Sequence, residues 1–164
     1  MIEITAEREI EASAEAVWSV LTDLDQFRAW NPFIRDARGK ARVGETIHLH
    51  VHPSLGVPLR FHATVLVRED NRVLRWRGRV FASWLARGDH SFTIEPLGAG
   101  RVRFSQHETF SGLVPRLAAR LLARETRRGF EAMNEALDHR VHRVAEGRVF
   151  RARMPQAHVK EDRP

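Results

Sequence analysis

The stretch PRLAARLLARETRRGFEAMNEALDHRVHRVA, residues 115–145, decides the fold, because its apolar residues recur at helical spacing and at no other. Pro115 suits a first-turn position, where its missing N–H costs nothing. Leu117, Leu121, Leu122, Phe130, Met133, Leu137, Val141 and Val144 then fall on one stripe. Arg116, Arg120, Arg124, Arg127, Arg128, Glu131, Glu135 and Asp138 make the opposite, solvated face, and Gly147 is the expected stop. At about 1.5 Å per residue such a helix runs roughly 45 Å, longer than a small domain is wide, so other elements must wrap it.

The preceding residues supply strands to do so. Residues 2–11 alternate, with Ile2, Ile4, Ala6 and Ile10 on one side and Glu3, Thr5, Glu7, Glu9 and Glu11 on the other, the pattern of a half-buried strand. Ser13 offers a cap to a helix carrying Ala16, Val17, Val20, Leu21 and Leu24 on one face. A second short helix, Asp25 to Trp30, ends at Asn31-Pro32. From Phe33 onward, turn signals at Gly44, Pro53 to Pro58, Asp70-Asn71, Ser83 to Arg87 and Gly98 to Gly100 punctuate an antiparallel meander. Alternation assigns its inward faces: Ile47, Leu49 and Val51; Leu59, Phe61, Ala63, Val65 and Val67; Leu74, Trp76, Gly78 and Val80. The last two strands add Gly88, His90, Phe92 and Ile94, then Val102, Phe104, Gln106, Glu108 and Phe110. The fold class is α+β, one domain over residues 1–145. Residues 146–164 form a polar, basic tail without sustained period, expected to be dispensable for folding and a candidate for disorder.

With 164 residues and 43% hydrophobic content, one core needs no disulfide or metal to hold it. The absence of cysteine excludes disulfide scaffolds, zinc-thiolate sites, iron–sulfur ligation and thiol catalysis. Glu3, Glu7, Arg8, Glu9 and Glu11 are incompatible with a signal-peptide core, and no run reaches the length of a membrane span. A cytoplasmic protein without stable membrane insertion is expected. The net charge of +6 is scattered rather than clustered, and no basic run is interleaved with stacking aromatics, so no nucleic-acid partner is expected.

Several local strings, in this order, resemble the SRPBCC superfamily of START-like, helix-grip proteins. They are Ile10-Glu-Ala-Ser-Ala-Glu-Ala-Val-Trp18, Leu21-Thr-Asp23, Trp30-Asn-Pro-Phe33, Leu74-Arg-Trp-Arg-Gly78, His90-Ser-Phe92, Glu108-Thr-Phe-Ser-Gly112 and Gly129-Phe-Glu-Ala-Met-Asn-Glu-Ala-Leu137. The nearest look is to the polyketide cyclase/dehydrase-like branch. The resemblance implies a curved seven-stranded antiparallel sheet wrapped around the C-terminal helix, two short helices closing one end, and an apolar pocket between sheet and helix. Carried onto this chain, Phe61, Trp76, Gly78, Phe92, Phe104, Phe130, Met133 and Leu137 would line that pocket, with Leu24, Phe27, Trp30 and Leu55 near its mouth. Gly78, in an inward slot of a central strand, leaves space there.

No nucleophile elbow, phosphate loop, dinucleotide fingerprint or His-Glu-x-x-His helix is present. His48, His50 and His52 share one face of a strand, with His62 expected beside them. Ile47, Leu49 and Val51 claim the inner face, so the histidines fall on the outer one and no metal is expected. His90, Gln106 and Glu108 point inward, as does Arg8. If Leu97 to Gly100 is a hairpin turn, Ile94 lies opposite Phe104, Phe92 opposite Gln106 and His90 opposite Glu108. Inward ionisable groups are paired or functional, and both a ligand-free His–Glu bond and a ligand-orienting role remain open. The expected function is binding of a small hydrophobic or amphipathic molecule (lipid, quinone or polyketide-like), with no cofactor, by a monomer or homodimer. The alternative is a cyclase or dehydratase using His90 and Glu108 as acid and base. Whether there is turnover is left open at this point.

Overall fold

A computed structural model of the chain describes residues 1–53, 57–80, 86–112 and 119–153. Strand β1 (Ile2–Ile10) leads into helix α1 (Ala14–Thr22), a 3₁₀ turn (Leu24–Gln26) and the short helix α2 (Phe27–Trp30). Strands β2 (Ile34–Arg38), β3 (Thr46–Val51), β4 (Leu59–Glu69), β5 (Val73–Val80), β6 (Ala86–Gly98) and β7 (Arg101–Ser111) follow, and helix α3 (Ala119–Arg153) comes last. The strands form one antiparallel sheet in the order β1-β7-β6-β5-β4-β3-β2. This is the α+β helix-grip architecture.

Local chemistry explains where elements begin and end. The Ser13 side chain accepts from Ala16 N at 3.3 Å and caps α1. Asn31, ahead of Pro32, is extended at φ −84° and ψ 115°, which ends α2. Its Oδ1 accepts from the backbone N–H groups of Phe33 (3.0 Å) and Ile34 (2.8 Å), turning the chain into β2. Gly98 and Gly100 supply the positive φ values, 138° and 73°, of the β6–β7 turn.

One core runs between sheet and helices, with Trp18, Trp76, Phe92 and Leu137 all buried as expected. The expected inner face of β3 is also observed. On β4 the alternation slips at a bulge between Val65 and Val67, and Leu59 stands exposed instead of turning inward. Phe130, Met133, Leu137 and Val141 make the buried stripe of α3, joined by Glu125, Thr126 and Asn134, while Leu121 in the opening turn is exposed. Asp138 is not on the solvated face. It is half-buried and accepts from Arg8 Nε at 2.8 Å, tying α3 to the inward side of β1. Nor does Gly147 end the helix: it lacks the left-handed backbone of a glycine stop, and α3 continues to Arg153. Pro115, Arg116, Leu117 and Leu55 lie outside the described residues.

Candidate functional site

The β6–β7 pairing sets Ile94 opposite Phe104, Phe92 opposite Gln106 and His90 opposite Glu108, the register that a turn at Leu97 to Gly100 dictates. Alternation turns His90, Gln106 and Glu108 toward α3, and all three are buried. Gln106 Nε2 donates to Asn134 Oδ1 at 2.6 Å and to the Phe130 carbonyl at 3.3 Å. With its amide hydrogens so used, Gln106 offers Oε1 to His90 Nε2–H, 3.1 Å away. That fixes the imidazole: Nδ1 faces Glu108 Oε2 at 3.2 Å, and one proton serves this contact.

The surroundings decide where that proton sits. The His90 ring stacks on Phe92 at 4.3 Å between centroids, with Phe130 at 4.7 Å and Trp76 edge-on at 5.5 Å. In this apolar cage burial pushes the His90 pKa down to about 3, against the Gln106 hydrogen bond and with a small further push from His107. Burial also raises the Glu108 carboxyl well above its usual range, and Asp89 adds to the rise. Both shifts favour the uncharged forms, and the geometry fits a neutral imidazole accepting from a carboxylic acid.

Glu108 Oε1 is buried without a partner, as are Trp30 Nε1, Asn31 Nδ2 and Asn134 Nδ2. Gly88 accommodates that oxygen, since a Cβ there would lie 2.5 Å from it and 3.3 Å from the Phe110 ring. Gly78, opposite Gly88 in the sheet, was expected to leave room beside the His–Glu pair. That room is taken: a Cβ on Gly78 would lie 2.7 Å from the ring of Phe61, which occupies the slot. The two inward glycines form a trough filled by the chain's own side chains.

Trp76, Phe92, Phe104, Phe130, Met133 and Leu137 are all buried in the one core. Phe27 and Trp30 pair edge-on at 5.1 Å on α2. Phe33 meets Phe130 edge-on at 5.8 Å. Sequence reading overlooked Asn134, a polar residue inside the stripe Phe130, Met133, Leu137, and that position was the available signal of a buried hydrogen-bond role. On the outer face His48 pairs with His62. Among the described residues no group of three or more His, Asp or Glu side chains is placed to hold a metal ion.

The model of the family described as polyketide cyclase / dehydrase and lipid transport matches residues 1–146. The chain belongs to this family. Its helix-grip fold is shared with a START superfamily protein from Mycobacterium smegmatis at a TM-score of 0.72 and 20% identity, over 87% of this chain and 98% of that one. The Zhui aromatase/cyclase from a Streptomyces species is similar at 0.73 and 18% identity, over 87% and 94% of the two chains. A protein from Thermus thermophilus is similar at 0.72 and 19%, over 87% and 99%. At such identities the likeness is one of fold alone. No curated protein matches the sequence. Membership in this polyketide cyclase-like branch of the SRPBCC superfamily agrees with the strings from Ile10 to Leu137.

Proposed function

We propose that the protein binds a small hydrophobic or amphipathic molecule, of lipid, quinone or polyketide-like character, between the sheet and α3, with Glu108 meeting its polar end. The observation that carries this reading is the unpartnered Oε1 of Glu108, buried in the slot at Gly88 that it shares with the Phe110 ring. A buried polar atom left unsatisfied costs about 1–3 kcal/mol, a burden that a ligand's hydroxyl relieves by donating to Oε1. Phe61 is the side chain that such a ligand displaces, being half-buried and seated over a glycine on the neighbouring strand. The family's description, which names both cyclases and lipid transport, supports a ligand of this class.

A second reading, an enzyme of the cyclase or dehydratase type, is favoured by one feature. His90 is a free base and Glu108 an acid sharing one proton, the arrangement that acid–base chemistry on a bound ligand requires. Either reading carries a cytoplasmic monomer or homodimer without resident cofactor; no described helix is long and apolar enough to cross a membrane.

The experiment takes a hydrophobic probe found by thermal-shift screening and measures its affinity for wild type, Glu108→Gln and Phe61→Ala. Glu108→Gln retains a donor toward His90 Nδ1, so the fold should survive while probe affinity drops about tenfold, the loss of one hydrogen bond to a polar end. Unchanged affinity in a folded Glu108→Gln, with no conversion of the probe by wild type, would make the pair structural and remove both Glu108 as the polar anchor and the enzyme reading. Conversion of the probe that disappears in Glu108→Gln while binding persists would select the enzyme.

A further inference from the structure

On the outer face of β2, β3 and β4, away from the His90–Glu108 pair, lies a cavity of about 320 Å³ lined by Asp36, Arg38, His48, His50, Arg60 and His62, with Leu49 and Phe61 completing its wall. Register builds it as two adjacent cross-strand rows, Asp36–His50–Arg60 and Arg38–His48–His62. The array has two guanidinium groups, three imidazoles and one carboxylate, and that carboxylate is already engaged. Asp36 pairs with Arg38 Nε at 3.0 Å and with Arg28 Nη2 at 3.5 Å. Arg60 has no carboxylate partner among the described residues, nor has Arg79, which follows His62 in the same row on β5.

The imidazoles are close enough to feel this excess. His48 and His62 meet edge-on with centroids 4.5 Å apart, and His50 Nε2 lies 3.1 Å from His52 Nε2. Burial, His52 and Arg60 push the His50 pKa down against the pull of Asp36. A concavity with more cationic groups than counter-ions, and with guanidinium and imidazole N–H donors on three adjacent strands, has the chemistry that holds an oxyanion.

We propose that this cavity is a binding site for a phosphate group, carried by a small phosphorylated molecule or by a lipid headgroup, with Arg60 as its principal cation and His48, His50 and His62 as donors. Its volume falls in the range of small-ligand pockets rather than of a bare ion. The charged and imidazole groups that face the site are Asp36, Arg38 and Arg28, Arg60, Arg79, and the four histidines 48, 50, 52 and 62.

The test is a titration of the full chain with inorganic phosphate at constant ionic strength, following the imidazole resonances by NMR. His48, His50 and His62 should shift saturably at a fixed pH while the exposed His139 on α3 does not. Arg60→Gln should weaken binding at least tenfold, and Arg101→Gln, at the far end of the sheet, should leave it unchanged. In a second arm the protein is sedimented with phosphatidylcholine vesicles with and without phosphatidic acid. Binding only to the acidic vesicles, lost in Arg60→Gln, assigns the phosphate to a headgroup. Shifts reproduced by chloride, binding indifferent to Arg60→Gln, or no response in either arm would overturn the proposal. Because the site lies on the opposite face of the sheet from Glu108, these outcomes are independent of the Glu108→Gln result.

Discussion

At the scale of residues, the His90–Glu108 pair ties stability to pH in two opposed ways. The folded His90 pKa of about 3 is below its ordinary 6.5, so the unfolded chain takes up the proton first as pH falls. The stability contributed by neutral His90 is present above about 6.5 and is lost as pH drops toward 3. Glu108 has the reverse sign: its folded pKa exceeds 4.5, so its contribution is present below that value and lost as pH rises through the raised one. Melting temperature measured against pH should show a shallower acid limb in His90→Gln and a shallower alkaline limb in Glu108→Gln. An acid limb in His90→Gln superimposable on that of wild type would mean that His90 is not held neutral. The pair itself was readable from sequence, because one turn and strict alternation place His90 opposite Glu108. Its anchor was not. Asn134 accepts from Gln106 at 2.6 Å, yet a search for apolar periodicity passes over the one polar residue inside the stripe. Asn134→Ala should cost about 1–3 kcal/mol in chemical denaturation, the penalty of orphaning a buried amide.

At the scale of elements, α3 is held by shape as much as by apolar area. Gly129 faces Phe33, and a Cβ at that position would run into the Phe33 ring. Alanine there gains about 1 kcal/mol of helix propensity but overpacks by about 1–3 kcal/mol, so Gly129→Ala should lower the melting temperature, and Gly129→Ala with Phe33→Leu should restore it. A higher melting temperature in the single variant would show that Phe33 is free to move aside. Leu137→Ala, at a fully buried position, should cost about 2–5 kcal/mol, and a loss below about half a kcal/mol would contradict a gripped helix. The existence of α3 was plain from its stripe, but its C-terminal limit was not. Glycine ends a helix by adopting a positive φ, and sequence does not reveal that Gly147 keeps a helical one. Likewise the slot at Gly78 was legible and its occupant was not. Whether Phe61 lands there depends on the register of β4 against β5, which the bulge beyond Val65 offsets.

At the scale of the whole molecule, Val144 is the last of the described side chains of α3 that packs against the core, and Ala145, Glu146 and Gly147 are exposed. We propose that the domain ends near there: truncation after Glu146 should leave the melting temperature within a few degrees of the full chain, and a large drop would show that the remaining residues dock. The order of the sheet carries another consequence. β1 pairs along its length with β7, Ile2 against Phe110 and Ile10 against Val102, so the first strand of this domain joins its last. At about 5–20 residues per second, a ribosome leaves β1 without its neighbour for roughly 5–20 s. During that interval the backbone edge of β1 that β7 takes stays unpaired, and the charged row Glu3, Glu7 and Glu9 is what discourages it from pairing with the wrong chain. Chains arrested at residue 100 should therefore be cut within β1 by protease far faster than the complete chain, so the first strand of the domain is protected only once β7 has paired with it and α3 has closed over its inner face.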